Sequence, residues 1–176
     1  MGGEPALRVE PLCSGHDVET FDSGRPAERD YLRLHALADH GFHHARTFVA
    51  LRDDRVVAYF TITAGSVEAA SCSQDITRRR RRKLVPVVII ARLAVDATEE
   101  EEGVEEAMLR QALYRSAAAA ETIGARAVLA VRGREGGSLL ERYGFETLPM
   151  CPFHVFLSSF DVRMNIGDES DAMVAV

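Results

Sequence analysis

Residues 85–95, Val-Pro-Val-Val-Ile-Ile-Ala-Arg-Leu-Ala-Val, form a nearly continuous apolar run that gives way within a few residues to a block of carboxylates. A run this rich in β-branched residues reads as a central strand buried on both faces. Glu99, Glu100, Glu101, Glu102, Gly103, Val104, Glu105 and Glu106 then open a helix. Strand, glycine turn and helix N-terminus together make the usual cradle for phosphate, because unpaired amides and the helix dipole attract negative charge. Here the cradle is lined with acids. The segment that suggests a nucleotide or coenzyme pocket therefore also argues against an anion in it.

Around this strand the chain alternates strands and helices. Residues 7–9 are a candidate first strand, and Phe21-Asp22-Ser23-Gly24 reads as a turn. Tyr31, Leu34, Leu37 and Ala38 recur at helical spacing within residues 27–44, as one amphipathic helix or two short ones. Residues 46–51 and 55–63 are β-rich and flank Asp53-Asp54, a hairpin signal, with Gly65 expected to end or kink the second strand. Residues 105–123 form a high-propensity helix that Gly124 ends. Then come a short buried strand at 127–131, a short helix at 136–143 with Gly144 as its cap, and a last strand at 155–160. This order predicts an α/β fold, with helices covering a mixed sheet.

With 176 residues, 47% of them hydrophobic, residues 1–162 are read as one domain and the acidic residues 163–176 as a flexible tail. The formal net charge of −6 argues against a surface built wholly for nucleic acid. It leaves room for a local strip, and Arg78, Arg79, Arg80, Arg81, Arg82 and Lys83 supply one. That run reads either as a phosphate-binding strip for RNA, DNA or an acidic partner or as a solvated loop, and no aromatic residues interleave to stack on bases. Cys13, Cys72 and Cys151 are odd in number and lack a CxxC pair, which suits a reducing compartment. No signal-like or membrane-length apolar run is present, so a soluble cytoplasmic protein without membrane contact is expected. His40 and His44 stand at i, i+4 and could grip a metal from one helical face, although surface histidines are the simpler reading and no metal is expected.

Several segments together carry a resemblance. Phe21-Asp22-Ser23-Gly24, residues 46–49 (Arg-Thr-Phe-Val), residues 59–67, residues 86–96 and Glu141-Arg142-Tyr143-Gly144-Phe145 occur in an order and spacing that resembles the GCN5-related N-acetyltransferase superfamily. Within it the chain is similar to the toxin-like branch that acetylates aminoacyl-tRNA and is partnered by a ribbon-helix-helix antitoxin. The resemblance covers roughly residues 7–160. It implies a mixed sheet splayed between two parallel strands, with acetyl-CoA in the cleft. It further implies that the backbone of Leu93, Ala94 and Val95 receives the pantetheine arm, and that the following Gln/Arg-x-x-Gly-x-Gly/Ala turn wraps the pyrophosphate.

Two departures stand against that implication. The turn pattern falls on Glu100, Gly103 and Glu105, so the glycine survives while Glu100, Glu101, Glu102 and Glu105 oppose the donor. At ~6 Å and an effective dielectric of about 20, each carboxylate–phosphate pair is repulsive by roughly 3 kcal/mol before screening. The helix-end attraction for an anion is about 0.3–1 kcal/mol, up to ~2 in good geometries. The second departure is Leu140, where the resemblance implies a tyrosine that protonates the leaving thiolate. Leucine has no proton to give.

The leading expectation is therefore a catalytically degenerate pseudo-acetyltransferase with no cofactor and no assigned catalytic residue. Its role would be to bind a protein partner, whether a second copy or an antitoxin-like DNA-binding regulator. Two alternatives stay open. One is an active acetyl-CoA-dependent N-acyltransferase acting on aminoacyl-tRNA or another amine, with water in place of the acid. The other is a nucleic-acid-binding module that uses residues 78–83.

Overall fold

The computed structural model of the chain describes residues 7–72, 77, 83–99, 102–131, 137–148, 151–159 and 161–162. Arg78, Arg79, Arg80, Arg81, Arg82, Glu100, Glu101 and the tail from residue 163 lie outside the described residues. Seven strands form one sheet: β1 (Arg8–Pro11), β2 (Arg46–Arg52), β3 (Arg55–Glu68), β4 (Leu84–Val95), β5 (Ala127–Val131), β6 (Glu146–Leu148) and β7 (Cys151–Ser158), in the order β1-β2-β3-β4-β5-β7-β6. The sheet is mixed. β4 and β5 run parallel, whereas the pairs β1·β2, β2·β3, β5·β7 and β6·β7 are antiparallel. Among the described residues there are four α-helices, α1 (Pro26–Leu34), α2 (Ala36–Gly41), α3 (Glu102–Ile123) and α4 (Gly137–Arg142), and a 3-10 turn at Ala69–Ser71.

The chain forms two compact units. The first holds the described residues up to Ile62 together with Arg92–Gln111. Its core gathers Leu12, Phe21, Leu32, Ala36, Val49, Leu51, Val56, Tyr59 and Ala94. α1 begins with Pro26 in its first turn, where a missing N–H costs nothing. Its periodicity stops at Leu34 because His35 leaves helical geometry, and α2 restarts on buried Ala36, so two short helices stand where one or two were expected. The hairpin turns at Asp53 and Asp54, whose φ values of 51° and 63° are those of a type I′ turn.

The second unit holds Thr63–Ala91 and the described residues from Ala112 onward. Val85, Val87, Ala127, Leu129, Leu148 and Phe156 form its core. β3 does not end at Gly65. It continues to Glu68, and the missing Cβ leaves room for the end of the Ile89 side chain. α3 closes on Gly124 (φ +71°), with the Ala125 amide donating to the Ala120 carbonyl at 2.8 Å. α4 closes in the same way on Gly144 (φ +79°), with the Phe145 amide on the Leu140 carbonyl at 3.1 Å. β6 has no counterpart in the sequence reading, and β7 starts at Cys151 rather than Val155. A three-residue strand carries too little period-two signal to be read, and Pro152 hides the start of the next.

Candidate active site

The parallel ladder between β4 and β5 covers Val87 to Ile90, and β4 continues from there to Val95. Along this last stretch Ala94 is buried in the first unit's core while Leu93 and Val95 are half-buried, the alternation expected of a strand with one face packed. The Leu93 carbonyl accepts a hydrogen bond from Arg25 Nη2 at 3.2 Å.

After Val95 the backbone is fixed by one buried carboxylate. Asp96 accepts from the amides of Asp22 (2.9 Å) and Thr98 (3.0 Å), from the Thr98 hydroxyl, and from Arg55 Nη1 at 3.4 Å. Its own amide donates to Val57 O and the Ala97 amide to Asp22 O, both at 2.8 Å. The Phe21-Asp22-Ser23-Gly24 turn thus clamps the turn between β4 and α3. Burial alone would raise the Asp96 pKa; the Thr98 hydroxyl, the two amides and the Arg55 charge outweigh it and hold the carboxyl below its usual range.

The acids that follow have different environments. Glu99 is engaged by Arg55 Nη2 at 2.8 Å and Arg52 Nη2 at 3.2 Å, and its side chain is only 11% exposed. Glu102 opens α3, Glu105 is exposed, and Gly103 has no atom within 4 Å of the position a Cβ would take. The backbone at Gly103 is therefore open to approach. The first carboxylate of the block is neutralised by hairpin arginines rather than aimed at that opening.

α1 carries a second polar group of residues. Glu28 Oε2 accepts from Tyr59 Oη and from Arg92 Nη1, each at 3.0 Å. The Arg92 guanidinium lies 4.2 Å from the centre of the Tyr31 ring, a cation–π contact. Burial and then the Glu28 charge raise the Tyr59 pKa, so the phenol remains a donor at all ordinary pH values.

In the second unit Leu140 and Tyr143 are half-buried, and the Tyr143 amide donates to the Leu140 carbonyl at 3.1 Å. Lys83 is exposed, and its carbonyl accepts from the Ala69 amide at 2.8 Å. The histidine pair is corrected: α2 ends at Gly41 and His43 has a φ of 60°, so His40 and His44 share no helical face. His40 Nδ1 accepts from the Thr47 amide at 3.2 Å, and among the described residues no group of three potential ligands forms a metal cluster.

Arg25, Glu28, Arg52, Arg55 and Tyr59 were not singled out from the sequence. The Arg-Asp-Asp-Arg hairpin tip was an available signal for Arg52 and Arg55 alone, because residues flanking a two-residue turn face each other.

No protein-family model matches the chain. A tRNA-acetylating toxin of Mycobacterium tuberculosis is 40% identical over 169 residues, covering 96% of this chain and 100% of the toxin. The chain belongs to the toxin branch of the GCN5-related N-acetyltransferases. Solved acetyltransferase toxins share the fold. AtaT complexed with acetyl-methionyl-tRNAfMet superposes with a TM-score of 0.83 at 20% identity, over 92% of this chain and 100% of AtaT. A tyrosine-to-phenylalanine mutant of AtaT, bound to the C-terminus of the antitoxin AtaR and acetyl-CoA, gives 0.75 at 20% identity over 90% and 96%.

This kinship overturns the expectation of a degenerate pseudo-acetyltransferase, and with it the expectation of no cofactor. The acids expected to oppose the donor are Glu100, Glu101, Glu102 and Glu105. Of these Glu105 is exposed and so screened by water and salt, and Glu99, the acid that precedes them, is held in ion pairs with Arg52 and Arg55. Backbone amides at a helix start keep their partial charge whatever the side chains are.

Proposed function

We propose that this protein is an active acetyl-CoA-dependent N-acetyltransferase of the toxin type, acting on the α-amino group of an aminoacyl-tRNA. The observation that carries the reading is the 40% identity, across 96% of the chain, to a tRNA-acetylating toxin. Acetyl-CoA supplies the acyl group as a thioester. The backbone of Leu93, Ala94 and Val95 holds its pantetheine arm and acyl carbonyl, and the amides around Gly103 receive the diphosphate. The neutral amine of the acceptor attacks the thioester carbonyl, the C–N bond forms, the C–S bond breaks, and the ammonium proton leaves to solvent. Leu140 donates nothing, so the thiolate of coenzyme A takes its proton from water. The protein partner of this reading is an antitoxin-like regulator, by analogy with AtaT bound to AtaR.

The test is to incubate the purified chain with acetyl-CoA and charged tRNA and to analyse the released amino acids by mass spectrometry. N-acetylated amino acid is the expected product. Its absence over a panel of aminoacyl-tRNAs, with acetyl-CoA unconsumed, would remove the reading.

A further inference from the structure

β2 ends at Arg52 and β3 begins at Arg55, and the two are register partners across the Asp53–Asp54 turn. Opposed residues of an antiparallel pair present their side chains on one face, where like charges destabilise each other. Glu99 resolves this conflict by placing one oxygen on each arginine, Oε1 on Arg55 at 2.8 Å and Oε2 on Arg52 at 3.2 Å. Arg55 reaches further, to Thr98 Oγ1 at 3.1 Å and Asp96 Oδ1 at 3.4 Å. Two cations and two carboxylates thus meet in one group that ties the hairpin tip to the turn, and α3 begins three residues beyond Glu99. The Glu99 amide also donates to Asp96 O at 3.0 Å, so side chain and backbone are fixed together.

We propose that Glu99 is a positioning residue for the donor diphosphate: it anchors the turn before α3, and so aims the amides that receive the phosphates, instead of repelling them. This rests on the acetyl-CoA reading above. It reverses the sign expected of an acid next to a phosphate site. A repelling carboxylate improves donor binding when it is neutralised, whereas an anchoring one weakens it.

The experiment measures acetyl-CoA binding by calorimetry and melting temperature for the native chain, Glu99→Gln, and Glu99→Gln combined with Arg52→Gln. Glu99→Gln is expected to raise the dissociation constant roughly tenfold, about 1.4 kcal/mol of lost binding. The double variant removes the arginine–arginine repulsion. It is expected to recover the melting temperature while keeping the raised dissociation constant, which a purely structural role would not do. If Glu99→Gln does not fold, the double variant alone decides. An unchanged or lowered dissociation constant in a folded variant overturns the proposal, and so does recovery of native affinity together with stability in the double variant. Binding without transfer by the native chain would sink the proposed function and leave Glu99 decided by affinity. A native chain that binds no acetyl-CoA would sink both.

Discussion

The acidic turn of the first unit and the α4 segment of the second both differ from the pattern that the family resemblance implies, in different ways. Around β4 and α3 the departures are the acids of the turn, and Glu99, the acid just before them, is matched by Arg52 and Arg55. Around α4 the departure is Leu140, where the resemblance implies a proton-donating tyrosine, and Tyr143 lies beyond the helix end, three residues on. Charge can be offset by neighbours and by solvent. An absent proton donor has to be replaced by water. On the proposed function, this difference would put the chemical cost of the sequence on leaving-group protonation, and only a smaller cost on holding the donor.

Restoring the acid should produce the largest change. Leu140→Tyr is expected to raise kcat about 100-fold, the lower end of what a positioned general acid contributes, with the acetyl-CoA KM little changed. Steady-state kinetics checks this, and an unaltered kcat would place the burden elsewhere. Next, Arg55→Ala leaves Asp96 and Glu99 short of their shared cation. It is expected to cost about 2 kcal/mol by denaturant unfolding, less than a fully buried pair because Arg55 is partly exposed. Replacing Glu100, Glu101, Glu102 and Glu105 by Gln, Gly, Arg and Gly should tighten acetyl-CoA binding by about tenfold, roughly 1.4 kcal/mol. If that variant gained several thousandfold, the donor side would be the costly one after all. Tyr59→Phe removes the phenol that donates to Glu28 and should lower stability by about 1 kcal/mol.

Much of this architecture could be read from residue order. The β2–β3 hairpin at Asp53-Asp54, the β5 boundaries, and the glycine ends of α3 and α4 follow from local chemistry, because turns and left-handed caps restrict which residues fit. β6 was not legible, and neither was the extension of β3 past Gly65, where the neighbouring side chain is Ile89, distant in sequence. The same limit governed the candidate site. Glu99 looked like one more acid in a row because its partners, Arg52 and Arg55, come from a hairpin more than forty residues earlier. Asp96 was quoted only as part of a motif, yet it gathers the Asp22 turn, Thr98 and Arg55 around one buried carboxylate.

Asp96 gives the smallest and most specific effect. Its folded pKa lies below the unfolded value of about 3.9, so the unfolded chain binds the proton first and stability rises with pH in that window. This contribution is fully present above about pH 4 and is lost as pH falls through the folded pKa. In Asp96→Asn the acid-side slope of unfolding free energy against pH should flatten, and an unchanged slope would remove Asp96 from the account.

Calorimetric titration of the native chain with acetyl-CoA decides whether the donor is held despite the acidic block. Saturable one-to-one binding in the range of about 1 μM to 1 mM is the expected result. No detectable heat from the folded native chain, with clear binding once Glu100, Glu101, Glu102 and Glu105 are replaced, would contradict it.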